Sequence, residues 1–317
     1  MLAEYALIPN IFSNAAHGSS ELAEARLQLL KPIVLEEALV RNLRAGAWWS
    51  TLQSWSKASP EDCHPKVKEL LKQMAKTKRL RDVSHLGIGE TPPKTPEAWL
   101  WEALVSHQAE AFTGVITLPD LAQQDAYKNN KIIARIDRLT NQDWQEQRDQ
   151  SRMVRMPKQT SSYRAHLKLL FSCANAILFI DPYLDPRQLH YREFHYLLNL
   201  IKDSETCIEL HLASKGIGAD GNDRRLLTLP DWRDRFTDLL PTLKENKLRA
   251  QVFIWENFHD RYIITDLMGI SLTGGLDVLP NATVDWTRQT RALRDQTQKD
   301  YSPNTGKYTL KHQFTLE

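Results

Sequence analysis

The residues best equipped for chemistry stand close together near the C-terminus. They are Phe258-His259-Asp260-Arg261-Tyr262-Ile263-Ile264-Thr265-Asp266 and, six residues later, Thr273-Gly274-Gly275-Leu276-Asp277. A histidine, a cation two positions on and an aspartate seven positions on, set among β-prone residues, is a spacing at which a chain builds a phosphate-handling site. The dyad alone means little. Histidine followed at the second position by Lys or Arg occurs four times, at His64/Lys66, His166/Lys168, His190/Arg192 and His259/Arg261. About one such pair is expected by chance in a chain this rich in both residue types. The seventh position separates them: Leu71, Cys173 and Leu197 for the first three, Asp266 for the last. On a strand, residues two apart share a face. His259 and Arg261 are therefore expected to project together into one pocket, with Asp260 opposite. The plainer reading is a strand with a hydrogen-bonded histidine and an Asp260–Arg261 surface pair.

With its arginine in place of lysine, the motif resembles the H-x-K-x4-D signature of the phospholipase D superfamily. The resemblance extends from about Ser161 to the C-terminus. LFIDPYLDP resembles the superfamily's strand ending in Pro-Tyr at the mouth of the site, and CIELHLAS resembles the next α–β unit. Where active members carry G-[ST]-x-N, this chain has Thr273-Gly274-Gly275-Leu276, with the hydroxyl displaced to Thr273 and the asparagine missing. Active enzymes bring two motif copies together, and this chain has one. The divergent, single-motif form is similar to phospholipase-D-like modules of bacterial defence and mobile-element proteins.

The resemblance implies a histidine nucleophile that forms a phosphohistidine, a second histidine that protonates the leaving oxygen, and cations that hold the phosphate oxygens. Carried onto this chain, His259 is the nucleophile, Arg261 the phosphate clamp and Asp266 the residue that orients or balances them. Thr273, Gly274, Asp181 and Tyr183 are the substrate-side candidates. Such a mechanism needs no metal and no cofactor. Arginine still clamps phosphate, with a geometry different from that of lysine. Asp181 and Tyr183 also follow from position, because ligands of open α/β sheets sit at strand C-termini. Their bland reading is an Asp-Pro turn.

The elements that must carry these residues come in two parts. Residues 1–150 read as a helix-rich domain with a few strands, suited to an interaction role. Residues 161–317 alternate strand and helix, which predicts a mixed sheet flanked by helices, an α/β fold. AILFIDPYL and RAQVFIWENF are expected as adjacent interior strands. The polar stretch from Asp149 to Thr160 is the candidate linker. Glu21–Leu43, REFHYLLNLIKD and LPDWRDRFTDLLPTLKENK each read as helix, the last broken by proline.

Composition excludes several classes. The 317 residues are 42% hydrophobic and 25% charged, with a net charge of +2. These are ordinary globular values, so any basic surface is local. No apolar run approaches the about 20 residues that span a bilayer, and the N-terminus lacks the basic region of a signal peptide. Cys63, Cys173 and Cys207 have no metal or CxxC spacing. Cys173 and Cys207 read as buried thiols, which fits a cytoplasmic chain. The basic stretch Lys66–Arg81 fits an amphipathic helix better than a nucleic-acid contact. The tryptophans Trp48, Trp49, Trp55, Trp99 and Trp101 fit core or interface packing better than base stacking. The glycine-rich stretch Lys215–Arg225 fits neither phosphate-loop pattern and reads as a surface loop near the pocket mouth. A metal-dependent nuclease of PIN type needs a carboxylate after the first strand, where Asn10 stands.

Two functions follow. One is a phosphodiesterase acting on DNA or RNA, completed by a homodimer or a protein partner that supplies the second histidine. The other is a silent phospholipase-D-like scaffold or nucleic-acid-binding subunit of a defence complex.

Overall fold

The structure is a computed structural model. It describes residues 1–317 except 60, 64, 85–90, 141–151, 219–220 and 222. His64, the last ten residues of the 1–150 segment, the start of the candidate linker and part of the glycine-rich loop lie outside the described residues. The chain divides into two compact units, Leu2–Ser151 and Arg152–Glu317.

The N-terminal unit has five parallel strands in the order β3-β2-β1-β4-β5. They are β1 Ala3–Leu7, β2 Ala38–Asn42, β3 Leu80–Asp82, β4 Gly114–Thr117 and β5 Ile133–Arg135. Helices Ser20–Pro32, Ala47–Ala58, Pro65–Lys76 and Pro96–Ala109 flank the sheet and hold more residues than it does. The single helix expected over Glu21–Leu43 ends early. Pro32 closes it, a π-helical turn Ile33–Glu37 follows, and the fully buried β2 takes Ala38–Asn42. Pro32 supplies no N–H and the next two residues, Ile33 and Val34, are β-branched, so continuing the helix is disfavoured. Trp48 and Trp99 lie in the core, Trp49 and Trp55 pack on its margin, and Trp101 is exposed. The basic helix Pro65–Lys76 buries Val67, Leu70, Leu71 and Met74.

The C-terminal unit is built on eight strands in the order β13-β9-β8-β7-β10-β11-β12-β6. They are β6 Met153–Pro157, β7 Ala176–Ile180, β8 Cys207–Ala213, β9 Ala250–Trp255, β10 Tyr262–Thr265, β11 Gly269–Leu272, β12 Thr283–Arg288 and β13 Leu310–Leu316. β7, β8 and β9 are parallel, and every other pairing is antiparallel. The protein is thus mixed α/β, with parallel and mixed sheets flanked by helices. β7 and β9 are both interior, but β8 lies between them rather than the two being adjacent.

Other expectations are corrected. The segment read as a linker contains β6, an edge strand paired with β12 from Met153 to Pro157. Only Met156 in it is buried, so it carries no apolar pattern. Cys207 begins β8 and is exposed, and Cys173 is half-buried. The buried cysteine is Cys63. REFHYLLNLIKD yields a 3-10 turn Leu189–Phe194 and one α-helical turn His195–Leu198. LPDWRDRFTDLLPTLKENK breaks into three short pieces.

Candidate functional site

β7, β8 and β9 end on one edge of their sheet, the edge at which open α/β sheets bind ligands. Asp181 follows β7, Ser214 follows β8, and residues 256–261 link β9 to β10. Tyr262 pairs with Ile180 across the antiparallel β10–β7 ladder. The next step outward therefore sets Arg261 beside Asp181.

Arg261 Nε lies 3.9 Å from Asp181 Oδ1. Its guanidinium carbon stands 5.2 Å from the centre of the Tyr183 ring, a cation–π distance. That Nε is buried and has no hydrogen-bond partner. Leaving a buried donor unmade costs about 1–3 kcal/mol, and the 3.9 Å gap to Asp181 is too long for a hydrogen bond.

Asp181 is buried and collects three donors. Leu276 N–H and Tyr191 O–H each donate to Oδ2 at 2.9 Å, and Tyr183 N–H donates to Oδ1 at 3.1 Å. Burial pushes its carboxyl above the ordinary range, opposed by those hydrogen bonds and by the Arg261 charge. The Tyr191 hydroxyl is pushed far up by burial and by the negative charges of Asp181 and Asp277. Gly275 makes this packing possible. A Cβ there would lie 2.5 Å from Tyr191 Oη, 2.7 Å from Asp277 Oδ1 and 2.8 Å from Asp181 Oδ2. Beyond the glycine, Lys158 Nζ donates to Asp277 Oδ1 at 2.5 Å. Tyr163 O–H donates to the Asp277 carbonyl at 2.9 Å, and Val278 N–H donates to the His190 carbonyl at 2.7 Å, which pins the loop after β11.

His259 sits in the β9–β10 link and is exposed. Phe258 anchors one side of it, buried 5.2 Å from the Tyr301 ring centre. Among the described residues, the His259 ring makes no hydrogen bond, and its carbonyl accepts from Arg261 Nη1 at 3.4 Å. Neither His259 nor Arg261 lies within β10, which begins at Tyr262, so strand alternation does not aim them.

The sequence-predicted residues divide. Arg261, Asp181 and Tyr183 come together, with His259 on the same link. Gly274 lies under the lysine, since a Cβ there would be 3.4 Å from Lys158 Nζ. Thr273 is instead spent on β12: its hydroxyl accepts from Asp285 N–H at 3.0 Å. Asp266 is corrected most clearly, because it stands past the opposite end of β10. There Oδ1 accepts the Asn175 N–H at 3.0 Å and Oδ2 accepts the Asn175 side-chain N–H at 2.7 Å, tying the entry to β7. Five extended residues span about 16 Å, so Asp266 cannot share a pocket with Arg261.

Lys158, Tyr191, Gly275 and Asp277 were missed. Reading the G-[ST]-x-N pattern one residue later, as Gly274-Gly275-Leu276-Asp277, puts Asp277 at the asparagine position and would have found it. Lys158 and Tyr191 carry no local signal. Among the described residues, no group of three or more His, Cys, Asp or Glu could hold a metal. Likewise, no helix among them is long and apolar enough to cross a membrane.

No family description and no curated protein sequence matches the chain. Among solved structures, it is similar to Nuc, a phospholipase D family member from Salmonella typhimurium. That match has 9% identity and a TM-score of 0.31, covering 50% of this chain and 96% of Nuc. It is also similar to TrmBL2, an archaeal chromatin protein described with a novel mode of DNA binding. There the identity is 11% and the TM-score 0.29, over 81% of this chain and 87% of that one.

Proposed function

We propose that the C-terminal unit is a phospholipase-D-like phosphodiester site, acting on DNA or RNA in a cytoplasmic, defence-related setting. The observation that carries it is Arg261: a buried guanidinium nitrogen without an acceptor, backed by Asp181, beside an exposed histidine at the ends of three parallel strands. One His259 ring nitrogen attacks phosphorus. The bond from phosphorus to the leaving oxygen breaks and that oxygen takes a proton; water then attacks the phosphohistidine, the P–N bond breaks, and a phosphomonoester leaves with the histidine restored. Arg261 neutralises the phosphoryl oxygens as charge builds on them. Asp181 holds the guanidinium in place.

The proton for the leaving oxygen needs a donor. Among the described residues, no second histidine ring bonds Arg261 or Asp181; His211 meets Asp181 only through its backbone carbonyl, which accepts Asp181 N–H at 3.1 Å, and its ring is engaged by Glu209 and Trp255. This reading therefore requires a two-fold dimer, or a partner chain, that brings another histidine to the phosphate. The same observation supports the second reading, a silent nucleic-acid-binding subunit, with the N-terminal unit recruiting its partners.

The deciding experiment is hydrolysis of labelled oligonucleotides in EDTA by the wild type and by His259→Ala. Cleavage that survives EDTA and is lost in His259→Ala supports the enzyme. Binding without cleavage in both proteins supports the silent subunit. Neither binding nor cleavage of any phosphodiester defeats both.

A further inference from the structure

Resting on that reading, we infer that Lys158 is a second phosphate-holding cation of the site, and that Asp277 competes with the substrate for it. Lys158 lies outside the motif, at the end of the edge strand β6, some hundred residues before Arg261. Its backbone is fixed by the loop after β11: Lys158 N–H donates to the Ala282 carbonyl at 2.9 Å, and its carbonyl accepts from Leu279 N–H at 3.0 Å. The ammonium thus reaches the cluster from a rigid base. Its side chain is 11% exposed, so it is recessed but open to the surface.

The charges form a row. Lys158 meets Asp277, Asp277 and Asp181 face each other across the missing side chain of Gly275, and Asp181 meets Arg261. The cations stand at the two ends and the carboxylates between them. Among the described residues, Asp277 is the single partner of the ammonium, which leaves two of its three donors unused. At the other end, Arg261 Nε has no acceptor at all. Both cations keep part of the side chain at the surface, 11% for Lys158 and 26% for Arg261, where a phosphate oxygen can meet them. Gly274 lies against the lysine end, where a Cβ would sit 3.4 Å from the ammonium, an ordinary contact distance.

The competition gives two substitutions of opposite sign. Asp277→Asn removes the carboxylate that occupies the ammonium and leaves Lys158 in place, so the cation is released to the phosphate. Lys158→Met keeps the length and apolar body of the side chain and removes the charge. The test measures binding of a single-stranded oligonucleotide by fluorescence anisotropy in a His259→Ala background, where cleavage cannot confuse the reading, over a range of salt. Lys158→Met is expected to weaken binding by about tenfold and to reduce the salt slope by about one phosphate contact. Asp277→Asn is expected to tighten binding severalfold. Thermal unfolding of each variant shows whether the fold is kept, and Lys158→Arg should recover most of the affinity.

If the two substitutions shift binding in the same direction, or neither shifts it, the pair is structural and the inference is overturned while the phosphodiester reading stands. If the parent protein binds no oligonucleotide, the phosphodiester reading itself falls, and this inference with it.

Discussion

Gly275→Ala puts one methyl group where three polar atoms already meet. The added carbon would lie 2.5 Å from Tyr191 Oη, 2.7 Å from Asp277 Oδ1 and 2.8 Å from Asp181 Oδ2. None of these is the loose end of a long chain. The Tyr191 ring is buried, Asp181 is fixed by three donors, and Asp277 is tied to Lys158. Something must move, and the least costly movement breaks the 2.9 Å hydrogen bond between Tyr191 and Asp181. Overpacking costs about 1–3 kcal/mol, and a hydrogen bond to a charged group contributes about 1.5–3 kcal/mol. Partial relaxation lets the two overlap, so the loss is about 3 kcal/mol, or roughly 6–12 °C for a unit of this size. Calorimetry of the full chain should show one transition moving by that amount. Arg261, whose position depends on Asp181, should lose phosphate affinity in parallel. A transition displaced by less than about 1 °C, with phosphate binding intact, would refute the packing described around Asp181.

Further outcomes follow from the same geometry. Asp266→Ala should cost about 2 kcal/mol by releasing Asn175, yet any phosphodiesterase activity per folded molecule should persist, measured by comparing denaturant midpoints with turnover. Tyr191→Phe should weaken phosphate binding by loosening Asp181 while leaving the Lys158–Asp277 pair intact, which oligonucleotide titration can read. Burial pushes the His211 imidazole below its ordinary value, with the pair to Glu209 opposing. The unfolded chain then takes up a proton near pH 6.5 that the folded chain refuses. Stability should fall below about pH 6.5, by up to about 1.4 kcal/mol per pH unit, and stay level above it. His211→Phe should remove that slope from the C-terminal unit in hydrogen-exchange measurements between about pH 5 and pH 8.

The interior strands were legible because burial on both faces writes itself as apolar runs: AILFI, CIELHLA and AQVFIW stand out in any reading. β6 was not legible, because an edge strand with a single buried residue has no pattern to show. β2 was hidden inside a helical period, and three-residue strands such as β3 are too short to carry any. In the site, Arg261 and Asp181 were legible since both lie where neighbouring strands end. Asp266 was misplaced because seven positions along the chain reads as proximity, whereas an extended strand turns it into distance. Lys158 and Tyr191 were out of reach, because only tertiary packing brings the β6 and Leu189–Phe194 segments to the adjacent glycines Gly274 and Gly275.

The place of β6 sets a limit on how the chain can be divided. A fragment beginning at Ser161, just past the polar stretch, would be cut without the strand that covers β12. Five ladder positions of β12 would face solvent, with Trp286 in their midst and the Arg155–Asp285 charge pair gone. An uncovered edge of that kind invites pairing with a second molecule. Precipitation of such a fragment would say nothing about the stability of the sheet behind it. A fragment that includes Arg152 retains the strand, the charged guard at its rim and Lys158.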